Sequence, residues 1–189
     1  MTFIQHYDSP LGTILLAADD VGLTGLWFED QKYFAATLPK EAQTKETPAL
    51  REGRHWLDLY FAGKEPVTTP PLHLIGTPFR LSVWKILSKI PYGKTTTYGD
   101  IAQRLAKERG LPRLSARAVG SAVGRNPISL IIPCHRVIGR NGRLTGYAGG
   151  LHRKASLLAM ERRHGNRETL DLKTLDLKTS DFRHLISDF

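Results

Sequence analysis

The sequence predicts a mixed α/β (α+β) fold, with β structure in the N-terminal part and mostly helices in the C-terminal part. Short apolar runs over 13–18 and 23–28, separated by Asp19-Asp20-Val21-Gly22, are typical of a β-hairpin. Beyond residue 76, apolar residues recur at helical spacing. The three prolines in 64–76 exclude a helix there and indicate an extended linker. We therefore place a domain boundary near Gly76.

The distribution of charge separates the same two parts. Residues 1–75 carry 6 Lys/Arg and 10 Asp/Glu, whereas residues 76–163 carry 17 Lys/Arg and only 3 Asp/Glu. A strongly basic segment beside an acidic one favours a polyanionic partner such as a nucleic acid, although a basic surface can also serve solubility alone. We expect an N-terminal domain with linker over 1–75, a basic domain over 76–165 and a dispensable extension over 166–189.

The single cysteine and the hydropathy pattern narrow the class of protein. One cysteine excludes an intramolecular disulfide and a Cys-rich zinc finger. With only His6, His55 and His73 available in the N-terminal part, we expect no structural zinc there. No apolar run approaches the roughly 20 residues of a membrane span, and no signal peptide is visible. These observations predict a reduced, cytoplasmic protein without a membrane segment.

Four helices are expected between residues 49 and 124. The first covers 49–62 and ends at Gly63, and Thr77-Pro78 has the cap and first-turn proline of a second. Two shorter helices follow over 97–106 and 115–124. Inside the most basic segment, such a pair fits a helix-turn-helix, and it fits an ordinary helical hairpin in a core equally well.

The lone cysteine follows an apolar run, Ile128–Ile132, that predicts a buried strand. A single cysteine is usually a small buried hydrophobic residue. Here His135 and Arg136 follow Cys134 directly, and a neighbouring base or cation favours the thiolate that acts as a nucleophile. Because neighbours in an extended segment point to opposite faces, we expect His135 to reach the thiol only through a water molecule or a turn at Pro133.

The segment Pro133-Cys134-His135-Arg136-Val137 resembles the active-site signature of the O6-alkylguanine-DNA alkyltransferases, or methylated-DNA–protein-cysteine methyltransferases. Further stretches resemble that family in the same order, so that the resemblance covers essentially all of 76–161. They are Gly76-Thr77-Pro78-Phe79 with Val83-Trp84, Ile90-Pro91-Tyr92-Gly93, Tyr98-Gly99, Ala116-Arg117-Ala118-Val119-Gly120, Asn126-Pro127, Gly146-Tyr147-Ala148-Gly149-Gly150 and Lys154 through Glu161. The resemblance implies an N-terminal ribonuclease-H-like α/β domain followed by a helical domain with a winged helix-turn-helix.

The implied activity is the direct reversal of DNA damage. Such a protein binds double-stranded DNA, flips O6-alkylguanine out of the stack and transfers the alkyl group irreversibly to its own cysteine. O4-alkylthymine is expected as a second substrate. No cofactor is implied, and we expect a monomer in solution, with cooperative binding along DNA left open.

The resemblance also implies the chemical roles of individual residues. Cys134 is the nucleophile, His135 takes its proton through water, and Glu161 orients the imidazole. Tyr98 donates a hydrogen bond to the departing base, with packing in the core as the alternative. The pocket for the flipped base is implied to be formed by Tyr98, Ile132, Leu144, Thr145, Tyr147 and Ala148. Ala148 replaces a serine found in some members, which removes one hydrogen bond to the base.

Other residues are implied to hold the cysteine loop or the DNA. Asn126 braces the cysteine loop, and Lys154 lies near the thiolate unless it is a surface lysine. Arg117 fills the space that the flipped base leaves, with a phosphate contact as the alternative. Thr96 bonds a phosphate or serves as a helix cap. Close approach to the minor groove is implied for the small residues Ala116, Ala118, Gly120 and Ser121.

Three other functions compete with this interpretation. A non-catalytic protein that recognises alkylated DNA would fit the charge, but relatives of that kind lack the reactive cysteine. A transcriptional sensor of alkylation would be expected to carry a further domain with additional cysteines. A cysteine hydrolase would leave the basic segment unexplained.

Overall fold

The computed structural model describes residues 1–165 of the chain. The N-terminal part contains one four-stranded sheet in the order β3-β2-β1-β4. β2 is antiparallel to both β1 and β3, which confirms the expected hairpin, and β4 is parallel to β1. The strands are β1 (Phe3–Ser9), β2 (Gly12–Ala18), β3 (Leu23–Phe28) and β4 (Gln43–Thr44).

Helix α1 (Pro48–Phe61) packs its apolar face on this sheet. It begins at Thr47, whose side chain accepts a hydrogen bond from the backbone N–H of Leu50. Pro48 is the first helical residue, where its missing N–H costs no helical hydrogen bond. Gly63 follows the helix with a φ of 73°.

The predicted linker is extended but is held against the sheet. The backbone of Leu23 accepts from His73 N and donates to Pro71 O, both at 2.8 Å. The His73 ring lies 2.6 Å from the Asp19 carboxylate. These contacts fix the linker to the edge of the sheet, so that it is not a free spacer between the two parts of the chain.

The C-terminal part is mainly helical, as expected. A short parallel pair, β5 and β6, joins the helix pair to the cysteine segment. One buried apolar cluster extends through both parts of the chain, and the Trp84 indole donates to Ala122 O at 2.9 Å within it. The elements are α2 (Pro78–Leu87), β5 (Thr96–Thr97), α3 (Tyr98–Glu108), α4 (Ala116–Gly124), β6 (Val137–Ile138) and α5 (Leu151–Gly165), with 3₁₀ turns at Cys134–Arg136 and Arg140–Gly142.

The strand predicted over Ile128–Ile132 is wrong, because this run folds into a buried turn. Only Ile128 forms a bridge with Leu26 on β3. The Asn126 side chain bonds both the N–H and the C=O of Ile128 and also the C=O of Ile132, which uses backbone groups that a strand would need. Leu130 has a φ of 68°, which is incompatible with an extended chain.

Two expectations concern the membrane and the C-terminal extension. Within the described residues, no helix has the length and apolar character needed to cross a membrane. The extension over 166–189 lies outside the residues that the structure describes.

Candidate active site

Cys134 lies in the first 3₁₀ turn, directly after the buried turn, and only 4% of it is exposed. The Asn126 amide donates to its Sγ at 3.2 Å and to Ile132 O at 2.8 Å, so that one side chain holds both the turn and the sulfur. Burial raises the pKa of the Cys134 thiol, while the Asn126 hydrogen bond and the charge of Lys154 oppose that rise. A group that accepts the thiol proton is therefore needed.

His135 is fully buried next to the cysteine. Its Nε2 lies 2.7 Å from Glu161 Oε1, so the ring donates from Nε2 and its Nδ1 is the free acceptor. That Nδ1 is buried and has no hydrogen-bond partner among residues 1–163. Burial lowers the pKa of His135, which keeps the imidazole neutral near pH 7 and able to accept a proton.

Glu161, on α5, is the buried carboxylate that orients this ring. Besides His135, it accepts hydrogen bonds from the Tyr60 hydroxyl at 2.7 Å, from Arg136 Nε and Nη2 at 2.9 Å and from Gly93 N at 3.1 Å. Burial alone would raise its pKa, but the contacts with His135 and Arg136 hold the pKa of Glu161 well below its usual range. The carboxylate is therefore ionised at neutral pH.

The expectation that Arg136 is the cation beside the thiol is wrong. Its guanidinium binds Glu161 on one side and Ile90 O, at 2.6 Å, on another. The cation that acts on the thiol is Lys154, which is fully buried and so is not a surface lysine. Burial lowers the pKa of Lys154 to about 8.

The Lys154 ammonium connects β6 with the loop before α5. It donates to Val137 O at 2.5 Å and to Thr145 O at 2.7 Å. The Tyr98 hydroxyl donates to the same Thr145 O and to Gly146 O, both at 3.1 Å. The Tyr98 hydroxyl therefore contacts the loop that was expected to form part of the pocket for the flipped base. The Tyr98 ring also packs against the apolar core.

The remaining residues expected in the pocket differ in their accessibility. Tyr147 places its ring 6.4 Å from the His135 ring, and the Ala148 carbonyl accepts from Lys32 N at 2.9 Å. Leu144 is half-buried. Ile132 is buried, and its carbonyl already accepts from Asn126 Nδ2 and from Cys134 N. This carbonyl would have to exchange a partner before it could contact a base.

Apart from Thr96, the expected DNA-binding residues lie on α4. Arg117 is exposed and makes no hydrogen bond or ion pair with any of residues 1–163. A groove of about 840 Å³ runs between α4, the start of α3 and the second 3₁₀ turn, which contributes Arg140. The small residues expected to approach DNA are Ala116, Ala118 and Ser121, which are exposed, and Gly120, which is partly buried.

Thr96 is not the helix cap. It is half-buried in β5, and the cap of α3 is Thr97, whose hydroxyl accepts from Asp100 N. The Asp100 carboxylate in turn accepts from Thr97 N at 3.1 Å, which completes a capping box. The sequence alone could not distinguish these adjacent threonines.

Two residues that support the site were missed. Tyr60 reaches Glu161 from the N-terminal part. Arg153, on α5, donates to Leu11 O at 2.7 Å, to Gly149 O at 3.0 Å and to Asp30 at 2.7 Å. The sequence does not show these contacts, because Tyr60 and Glu161 are 101 positions apart and Arg153 and Leu11 are 142 positions apart. Among the described residues there is no group of three or more metal-binding side chains.

The fold and the site together define a helix-turn-helix protein with a buried cysteine beside a histidine–glutamate pair. The sequence matches the family description "6-O-methylguanine DNA methyltransferase, DNA binding domain" over residues 78–163 and "6-O-methylguanine DNA methyltransferase, ribonuclease-like domain" over residues 3–74. The chain belongs to the 6-O-methylguanine DNA methyltransferase family.

Individual relatives agree with this assignment. A "Methylated-DNA--protein-cysteine methyltransferase" of Mycolicibacterium paratuberculosis is 47% identical over 158 residues, which are 83% of this chain and 90% of the relative. One of Methanosarcina acetivorans is 46% identical over 82% of this chain and 95% of the relative. The crystal structure of Mycobacterium tuberculosis OGT in complex with DNA superposes with a TM-score of 0.73 and 41% identity, covering 86% of this chain and 94% of that one.

These comparisons confirm three expectations from the sequence. The family is the one that the cysteine motif indicated. The fold is a ribonuclease-like α/β domain followed by a DNA-binding domain. The activity is that of a methylated-DNA–protein-cysteine methyltransferase, a DNA-repair protein, and a purely non-catalytic role is not favoured.

Proposed function

We propose that this protein repairs double-stranded DNA by transferring the alkyl group of O6-alkylguanine to Cys134 in one irreversible turnover. A bond forms between Sγ and the alkyl carbon while the bond between that carbon and guanine O6 breaks. The thiol proton passes to His135 Nδ1 through water, and Glu161 stabilises the imidazolium that results. The observation that carries this proposal is the unpaired Nδ1, buried beside the cysteine and fixed by a carboxylate on the other ring nitrogen.

Tyr98 prevents the guanine from leaving as a free anion. Its hydroxyl now donates to Thr145 O and Gly146 O, which places it at the mouth of the loop where the base would enter. On binding, it exchanges these carbonyls for the base and donates a hydrogen bond that stabilises the departing guanine. The guanine takes up one proton from solvent, and the His135 imidazolium later returns the thiol proton to solvent, so the protons balance. Thr145, with Leu144, Tyr147, Ala148 and the backbone of Ile132, forms the rest of the pocket.

The outer face of α4 opens the DNA. Ala116, Ala118, Gly120 and Ser121 allow the helix backbone to approach the minor groove closely. Arg117 makes no hydrogen bond or ion pair with residues 1–163, so its guanidinium is available to enter the stack and replace the flipped nucleotide. Thr96, which does not cap α3, binds a phosphate of the DNA.

Asn126 and Lys154 hold the nucleophile for this reaction. Asn126 donates to Sγ, and the Lys154 charge favours the thiolate. We further propose that the protein acts as a monomer on DNA containing O6-alkylguanine and O4-alkylthymine. Residues 1–75 and 76–165 form its two domains. A thiol that must remain reduced supports a cytoplasmic location.

Intact-protein mass spectrometry tests the reaction. The protein is mixed with a duplex carrying one O6-methylguanine, and with the same duplex carrying guanine as the control. We expect a mass gain of one methylene group with the modified duplex only, mapped to Cys134 after proteolysis. Tight binding to the lesion with no mass gain would contradict the proposal and identify a protein that only recognises damage.

A further inference from the structure

The carboxylate that orients His135 is shared by both parts of the chain. Glu161 Oε1 accepts from three donors, which are His135 Nε2 at 2.7 Å, the Tyr60 hydroxyl at 2.7 Å and Arg136 Nη2 at 2.9 Å. Tyr60 belongs to α1, in the N-terminal part, and is fully buried. The hydroxyl of this one residue therefore connects the ribonuclease-like domain to the catalytic carboxylate.

The position of the Tyr60 hydroxyl is fixed by the packing of its ring. The ring stacks on Trp56 with centroids 5.1 Å apart and planes 12° apart, and its edge contacts Tyr92 at 6.0 Å. The hydroxyl also lies 3.3 Å from His135 Nε2. Both groups point their protons at the same oxygen, so they compete for it.

We propose that Tyr60 is a positioning residue that limits the basicity of His135 by competing with it for Glu161 Oε1. An acceptor shared by several donors binds each of them less strongly. A weaker bond to Glu161 disfavours the imidazolium, which keeps His135 neutral and ready to take the thiol proton. This inference rests on the proposed function, because it assigns Tyr60 a role in that same proton transfer.

The other charged and titratable groups around the ring do not replace Tyr60. Arg136 neutralises Glu161, and Lys154 disfavours a second positive charge nearby. Both effects persist when only the Tyr60 hydroxyl is removed. The groups that face the His135–Glu161 pair are Tyr60, Arg136, Tyr92, Cys134, Tyr147 and Lys154.

The variant Tyr60→Phe tests the inference, with Tyr7→Phe as the matched control. Tyr7 also donates its hydroxyl to a carboxylate, that of Asp58 at 3.0 Å, and its ring stacks on Phe61, but it lies outside the site. The readouts are the single-turnover transfer rate as a function of pH and the titration of the His135 ring followed by NMR. Affinity for duplex DNA is measured in parallel.

We expect Tyr60→Phe to move the acidic limb of the pH–rate profile and the His135 titration upward by about one pH unit. The sign follows because the freed Oε1 binds the imidazolium more strongly than the neutral ring. Tyr7→Phe should leave both curves in place, and DNA affinity should be unchanged in both variants. Superimposable curves for wild type, Tyr60→Phe and Tyr7→Phe would overturn the inference.

A second substitution keeps the test valid if Tyr60→Phe does not fold. Difluorotyrosine in place of Tyr60 keeps the ring contacts and is a stronger donor, so the His135 titration should move downward. An unchanged or upward-shifted titration would overturn the inference. The NMR titration needs no alkyl transfer, so a failure of the proposed function appears separately, as a wild-type protein that gains no methyl group.

Discussion

The cysteine cluster and the outer face of α4 differ in burial and in how many of their polar groups are hydrogen-bonded. In the cluster, Cys134, His135 and Glu161 are buried, and the carboxylate accepts hydrogen bonds from five donor groups. On α4, Arg117 is exposed and has no partner among residues 1–163. In the proposed function, the cysteine cluster is therefore assembled before DNA binds, whereas the contacts of α4 form only with DNA. Substitutions in the two regions should therefore differ in whether they alter the protein itself or only its complex.

The largest effect is expected at the nucleophile. Cys134→Ser should abolish alkyl transfer, because a serine hydroxyl beside a neutral imidazole is a far weaker nucleophile towards a saturated carbon. Binding to a duplex with O6-methylguanine should persist, since α4 is unchanged. Mass spectrometry and a gel-shift titration measure the two properties. Any methyl transfer that remains in this variant would show that Cys134 is not the acceptor.

The stack-filling residue should show the next largest effect. Arg117→Ala should slow transfer from duplex DNA by about a hundredfold, because flipping a base costs a few kcal/mol that the guanidinium no longer offsets. Transfer from free O6-methylguanine base should be almost unchanged. The matched control is Arg113→Ala, which removes the same charge from the exposed loop before α4. Equal losses on both substrates would contradict the proposed role of Arg117.

These two regions also differ in how far the sequence predicts them. The small residues of α4 form one contiguous stretch, and the cysteine motif forms another. Local pattern combined with family resemblance is therefore enough to find each of them in the sequence. The contacts of the cluster join residues that are 101 positions apart in the case of Tyr60 and Glu161. Such partners depend on how α1 packs against the C-terminal part, and hydrophobic periodicity carries no information about that.

Local competition for hydrogen bonds explains the wrong strand and the misassigned cation. The apolar run Ile128–Ile132 has strong β propensity, but Asn126 takes the backbone groups that a ladder would use. Arg136 follows the cysteine in sequence, yet the buried Glu161 carboxylate attracts it more strongly than the thiol does. In both cases the hydrogen bonds of one polar side chain decide the outcome: Asn126 lies two residues before Ile128, and Glu161 lies 25 residues after Arg136.

The reaction itself should weaken the cluster. Cys134 is only 4% exposed, so a methyl group added to Sγ must fit into a site that is already packed. The methyl group also crowds the contact between the Asn126 amide and Sγ. Overpacking of this kind costs about 1–3 kcal/mol. Scanning calorimetry should show a lower melting temperature after reaction, while Cys134→Ser treated with the same duplex should not change. An unaltered melting temperature of the methylated protein would contradict this argument.

The smallest effects are expected from alanine substitutions at two glycines of α4, which test DNA binding without lowering the stability of the protein. A Cβ added at Gly120 meets only Tyr98, at 3.6 Å, which is an ordinary contact, and one added at Gly124 meets nothing within 4 Å. Because alanine stabilises a helix interior over glycine by up to about 1 kcal/mol, neither Gly120→Ala nor Gly124→Ala should lower the melting temperature.

The two variants should differ only in the presence of DNA. Gly120 lines the groove beside Arg117, so a methyl group there should hold α4 away from the minor groove and weaken duplex binding by about tenfold, or 1.4 kcal/mol. Gly124, at the far end of the same helix, does not line the groove. Fluorescence anisotropy with a labelled duplex measures both affinities. If the two variants bind equally well, the close approach of α4 at Gly120 is wrong, whatever happens at Cys134.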